Sequence, residues 1–235
     1  MYILKHCPYR LRLNRIVRDI PSTYIVAGER RGNLRQLLES ELRRRSIRCR
    51  DIRERECKGA PLTVAEAHVF VDEFRASNGT EFYISTENRE RTCLYGHLRL
   101  RIRDDASEAN SLYPSLAHCA LIRELHTYGK LVAVDHANTG AEAQHVGVGT
   151  RLMRIAEGIC VERFGLTKVA VISGVGARKY YEKLGYRLEN TYMVKVLLAA
   201  PASEVSPNGA DDGSDASDGG ILGSAMRSIR GFFGN

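Results

Sequence analysis

Lys168 to Ser173 (KVAVIS) reads as a strand with no polar face. A strand of that kind has to be covered on both sides, which sets it inside a sheet flanked by helices. The preceding residues supply the layers in order. Cys119 to His126 is a strand candidate, Gln144 to Gly149 a glycine-bearing loop, and Val148 to Phe164 a helix with Leu152, Ile155, Ala156 and Ile159 on one side. After KVAVIS, Ala177 to Leu184 reads as a short helix stopped by Gly185, and Tyr186 to Leu198 as a returning strand. The expected class is α/β (α+β), a mixed central sheet with flanking helices.

Upstream, Leu34, Leu37, Leu38 and Leu42 follow Gly32-Asn33 at helical spacing, so an amphipathic helix begins behind an Asn cap. Thr63-x-x-Glu66 has the form of a capping box, and Val69, Phe70 and Phe74 continue it as a second helix ending near Asn78-Gly79. Phe82 and Ile84, then Leu94, Gly96, Leu98, Leu100 and Ile102, alternate with polar residues and predict two strands joined around Glu87-Asn88-Arg89. The last 35 residues are rich in Asp, Ser and Gly and are expected to be disordered. Three regions result: a basic segment 1–58, a catalytic-type domain 59–200 and a tail 201–235.

Charge separates the first region from the others. Residues 1–58 hold 16 Lys or Arg against 7 acids, whereas the rest is close to balanced. Arg43, Arg44, Arg45, Arg48, Arg50, Arg53 and Arg55 form the dense part, the pattern that binding to a phosphate backbone requires, and a solvated helix face is the competing reading. Asp51 among them is expected to orient arginines by ion pairing. Six cysteines without a C-x-x-C pair suit neither a disulfide framework nor a zinc ribbon, so no metal is expected. No apolar stretch approaches the roughly 20 residues of a membrane-spanning helix and no signal peptide is evident, so a cytoplasmic chain is expected, with the nucleus as the alternative.

The chemistry concentrates at Gln144 to Gly149. Two glycines at the start of a helix let the backbone approach a ligand, and the N–H groups there form an anion site. The loop lacks the Gly-Lys-Ser/Thr of a P-loop and the first glycine of the dinucleotide fingerprint. Its spacing, Q-x-x-G-x-G after a strand, resembles the coenzyme A pyrophosphate loop of the GNAT acetyltransferases.

A closer resemblance, to the Elp3 family of Elongator catalytic subunits, runs over residues 15–196. It is carried by Arg18 to Pro21 (RDIP), Gly32 to Arg35 (GNLR), Cys49 to Arg53 (CRDIR), Leu98 to Arg101 (LRLR), Ile122 to Gly129 (IRELHTYG), Gln144-His145, Ile172 to Tyr186 (ISGVGARKYYEKLGY) and Tyr192 to Lys195 (YMVK). The resemblance implies a GNAT fold and acetyl-CoA as cofactor, held by Glu124, Leu125, His126 and Thr127 along the first strand and by Ala143, Gln144, His145, Gly147 and Gly149 at the loop. It implies a backbone donor at Leu125 or His126 for the thioester carbonyl. It also implies a tyrosine near the sulfur, with Tyr181 the first choice, Tyr180 beside it, and one of the two packing the helix. Strand alternation puts Arg123 and Leu125 on the face opposite Glu124 and His126.

In that family the acetyltransferase part works with a radical S-adenosylmethionine domain to modify the wobble uridine of tRNA. The radical domain precedes the matching motifs and uses a cysteine cluster. This chain begins shortly before RDIP, so no iron–sulfur cluster is expected in it, and tRNA, Elongator subunits or a separate radical-domain chain are the expected partners. The alternatives are a free-standing lysine (histone) N-acetyltransferase and a non-catalytic tRNA-binding scaffold.

Overall fold

Val69, Val71 and Phe74 lie in an extended strand. The computed structural model describes residues 1–14, 16, 21–57, 67–106, 113–128 and 147–197. Within it His68–Arg75 is strand β1, paired antiparallel along its whole length with β2 (Gly79–Glu87). The helix expected from Thr63 through Phe74 is therefore corrected to a strand; Thr63 and Glu66 lie outside the described residues. The cause is local. Ser77 and Asn78 both adopt positive φ (44° and 56°) and the Ala76 N–H donates to Gly79 O, which makes a two-residue hairpin turn where a helix end was read. The β-branched and aromatic run preceding it then gains a full ladder.

The remaining strands are β3 (Leu94–Arg103), β4 (Ala120–Thr127), β5 (Lys168–Val171), β6 (Arg187–Glu189) and β7 (Tyr192–Val196). They form one sheet in the order β1-β2-β3-β4-β5-β7-β6, antiparallel throughout except for the parallel pair β4–β5. Tyr186 to Leu198, expected as one strand, is divided at Asn190, whose φ of 56° turns β6 back onto β7.

The helices are α1 (Tyr2–His6), α2 (Leu34–Arg44), α3 (Ile52–Arg55), α4 (Val148–Phe164) and α5 (Arg178–Lys183). Helix α4 ends at Gly165 in the left-handed region (φ 61°), where the Gly165 and Leu166 N–H groups donate back to Val161 and Cys160. Its apolar side, Leu152, Met153, Ala156 and Ile159, closes the main core against Phe82, Ile84, Leu98, Leu100 and Ile122. Burial of each such side chain contributes roughly 1.5–3 kcal/mol.

The opposite face of the sheet is covered by the N-terminal segment, and residues Met1 to Ala199 form one compact unit. Ile52 of α3 packs on Tyr83 and Leu94. Asp51, fully buried, caps α3 through the Arg53 N–H, accepts the Leu13 N–H and pairs with Arg35 at 3.0 Å. Its partner is thus one arginine and two amides, rather than the basic cluster. Arg55 is a further correction: it is 2% exposed, donates to Glu87 at 2.6 Å and to the Tyr9 and Arg50 carbonyls, and so is unavailable to a nucleic acid. Among the described residues no helix is long and apolar enough to cross a membrane.

Candidate functional site

Strands β4 and β5 pair only at Ala120 to Ile122, and the Ile172 N–H donating to Ile122 O is the last rung. Beyond it β4 runs on to Thr127 while β5 ends, so the backbone of β4 from Arg123 onward has no β5 partner among the described residues. The two strands splay apart beyond this rung.

A β-bulge decides which groups face the opening. Against β3 the register runs Arg99↔Glu124 and then Leu100↔Ile122, which leaves Arg123 as the extra residue. Downstream, Tyr128 N–H donates to Tyr95 O, so by antiparallel alternation the pairs 97↔126 and 99↔124 are the hydrogen-bonded ones. The amides of Leu125 and Thr127 therefore turn away from β3 toward the opening. Of the two donors considered, Leu125 faces the cleft, and the His126 amide serves the ladder.

The same bulge corrects the assumption of strict alternation. Ile122 and Leu125 pack toward α4, whereas Arg123 and Glu124 both project from the other face, Arg123 to Glu81 at 2.7 Å and Glu124 to Arg99 at 2.8 Å. His97, 1% exposed and opposite His126, places Nε2 3.3 Å from Glu124 Oε1. The contact with His97 and then the Arg99 guanidinium hold the Glu124 carboxyl down at about 2. Burial lowers the His97 pKa, so His97 is neutral near pH 7 and Arg99 supplies the positive charge of the group. An anion held this firmly is a poor base at neutral pH. No motif in the sequence marks His97 and Arg99 as the partners of Glu124. The alternation of Gly96, Leu98 and Leu100 already implied that His97 and Arg99 share the other face.

On the α4 side the helix begins at Gly147, and Gly147 and Gly149 differ in what they require. A Cβ at Gly149 would lie 2.6 Å from the Tyr180 hydroxyl, so this glycine makes room for a neighbour in the chain. A Cβ at Gly147 would meet nothing within 4 Å among the described residues, and its φ of −92° suits any residue. Ala143, Gln144 and His145 lie outside the described residues.

The two tyrosines divide as neighbours on a helix must, about 100° apart. Tyr181 is 5% exposed and packs edge-on against Tyr186 in the main core. Tyr180 reaches the first turn of α4, where its buried hydroxyl lies beside Thr150 with no well-formed hydrogen bond. Burial raises both phenols, Tyr181 to about 12. Both keep their proton at neutral pH.

The basic cluster, Arg55 excepted, is on the surface. Arg43, Arg44, Arg45, Arg48, Arg50 and Arg53 are exposed on α2, α3 and the connecting turn, with Arg44 and Arg45 sharing Glu41 and Arg43 near Glu54.

Sequence comparison agrees with this geometry. Residues 49–186 match the acetyltransferase (GNAT) family. The chain belongs to that family. Elongator complex protein 3 of Homo sapiens is 38% identical over 204 residues, 83% of this chain and 36% of the relative. The Drosophila melanogaster protein of the same name is 39% identical over 201 residues, 82% of this chain and 35% of the relative. The solved structure of the archaeal Methanocaldococcus infernus Elp3 with an N-terminal deletion superposes with a TM-score of 0.65 at 33% identity, over 83% of this chain and 46% of that one. The chain is thus a GNAT acetyltransferase domain of the Elp3 type that spans about a third of the length of these curated relatives.

Proposed function

We propose that the chain binds acetyl-CoA in the opening between β4 and β5 and serves as the acetyl-CoA half of a tRNA wobble-uridine modification, working with a radical S-adenosylmethionine domain or partner and in the company of Elongator subunits. The observation that carries the reading is the parting of β4 from β5, which leaves the Leu125 N–H aimed into an opening at the head of α4. The residues present suit the cofactor. Gly147 leaves room that no other described residue fills, and the N-terminal amides of α4 favour an anion such as a pyrophosphate.

Bound there, acetyl-CoA supplies an activated acetyl group. Within the stretch Glu124 to Thr127 of β4, Leu125 and Thr127 would hold its pantetheine arm by backbone pairing, and Ala143, Gln144, His145, Gly147 and Gly149 its phosphates. The Leu125 N–H stabilises negative charge that develops on an oxygen in the cleft, an effect worth about 3–4 kcal/mol per donor. A phenol carries the proton that a departing thiolate would take. The role is assigned to Tyr180, whose hydroxyl lies beside Gly149 in the first turn of α4, in preference to Tyr181, which is packed in the core. The exposed arginines from Arg43 to Arg53 are assigned to the tRNA backbone.

Isothermal titration with acetyl-CoA tests the assignment. Saturable binding is expected, with a large loss in Gly147→Trp at unchanged melting temperature. Absence of binding in the unaltered chain, or full affinity in that variant, would sink it.

A further inference from the structure

Strand β1 is one end of the sheet, and among the described residues no strand pairs with its outer edge. The Ala76 N–H donates to Gly79 O across the hairpin turn, so by antiparallel alternation the even-numbered residues of β1 bond to β2. Val69, Val71 and Glu73 therefore turn their N–H and C=O groups outward. Proteins usually guard such an edge with lysine, proline, a bulge or free charge. The run Ala67 to Arg75 (AHVFVDEFR) has no lysine or proline, and the β1–β2 register is unbroken. Its acids and its arginine are neutralised within the chain, Asp72 by Arg91 at 2.8 Å, Glu73 by Arg163 at 2.9 Å and Arg75 by Asp104 at 2.6 Å. Val71, at the middle of the edge, is 40% exposed. An unguarded row of donors and acceptors is a template for another strand.

We propose that the strand it takes is β1 of a second copy of this chain, the two running antiparallel about a two-fold axis at Phe70 and joining two sheets into one. The side chains select the axis. It sets Val69 against Val71 and Glu73 against Ala67 as hydrogen-bonded pairs, and on the other face Phe70 against its own copy and His68 against Asp72. Apolar then meets apolar, and an imidazole N–H meets a carboxylate. An axis at Val71 would set Asp72 against Phe70 and Glu73 against Val69, and one at Asp72 would set that carboxylate against itself. Both keep the ladder and lose the match of side chains. A strand of a different protein would gain the backbone bonds without this self-complementarity. The inference is independent of the acetyl-CoA reading, whose cleft lies between β4 and β5 in the middle of the sheet.

Sedimentation velocity on the full chain tests it. A monomer–dimer equilibrium in the micromolar range is expected, as suits a small interface. Val71→Pro removes an outward N–H, a change that an edge strand tolerates. It should weaken the dimer about ten-fold or more, the loss of one N–H···O bond from each copy. Val71→Lys, which puts a charge at the centre of the edge, should weaken it as well. Neither should change acetyl-CoA affinity or the melting temperature, measured where the chain is monomeric. Mild thiol oxidation of Phe70→Cys should join two chains by a 70–70 disulfide, found by peptide mapping, whereas Val71→Cys should give no 71–71 bond. A monomer at every concentration would overturn the proposal, as would a dimer that both Val71 substitutions leave intact. Cross-linking at position 71 in place of 70 would overturn the axis at Phe70. Acetyl-CoA binding by a chain that never dimerises would overturn this inference alone and leave the cofactor site standing.

Discussion

Gly147 caps α4 and Gly149 lies in its first turn, and the two do different work. Gly149→Ala places a methyl where the Tyr180 hydroxyl lies, so it should displace that side chain. Gly147→Ala should leave the fold untouched and act only through the ligand. The two effects separate in a pair of measurements, thermal unfolding and acetyl-CoA titration. Tyr180→Phe is expected to lower turnover about 10²-fold or more while Tyr181→Phe mainly lowers stability, as removal of a general acid and alteration of a packed ring respectively would do. Were Tyr181 the acid instead, the alkaline limb of the rate profile would lie near pH 12, where its burial puts the phenol. The sequence made both tyrosines and both glycines visible as candidates. It could not separate them, because the separation comes from what the fold sets beside each, Gly149 at the Tyr180 hydroxyl and Tyr186 at the Tyr181 ring.

Among the elements, α3 is four residues long and cannot hold itself together. Asp51 and Arg55 stabilise it instead. Asp51→Ala removes a cap worth about 1–2 kcal/mol and also frees Leu13 and Arg35. Arg55→Ala removes one of the two arginines on the buried Glu87 carboxylate and leaves Arg91 at 3.2 Å, so the loss should fall below the about 3–5 kcal/mol of a buried pair broken outright; denaturant titration should show a lower midpoint with little change in slope. Long, strongly patterned elements were legible beforehand: α4 begins and ends where Val148 to Phe164 said it would, and of KVAVIS the first four residues form β5 in the sheet interior, whereas Ile172 and Ser173 lie beyond the strand and Ile172 is exposed. Strand β1 was misread because Val69, Phe70 and Phe74 satisfy a helical spacing as well as a pleated one, and only the partner strand decides. The basic cluster read correctly as a surface except at Arg55, whose partner Glu87 is 32 residues away and carries no local signal.

For the molecule as a whole, the N-terminal segment and the sheet share a buried interface, so segment 1–57 is required to keep Tyr83, Glu87 and His97 from water. Saturating acetyl-CoA should raise the melting temperature, by an amount equivalent to about 2.7 kcal/mol at a hundred-fold excess over Kd. RNA held by the exposed arginines should dissociate steeply with salt, and a flat dependence would remove those residues from the interface. The extra residue in β4 also bears on both sides of the sheet. Ahead of Arg123 the even-numbered residues turn their backbone toward β5; behind it the odd-numbered ones do. The bulge absorbs one residue without moving its neighbours: Ile122 lies opposite Leu100, Glu124 opposite Arg99 and Leu125 opposite Leu98, the pairing an unbroken strand lacking residue 123 would also give. Arg123→Ala and deletion of residue 123 should therefore both keep the Leu125 N–H toward β5 and keep acetyl-CoA binding, while each loses the contact of Arg123 with Glu81.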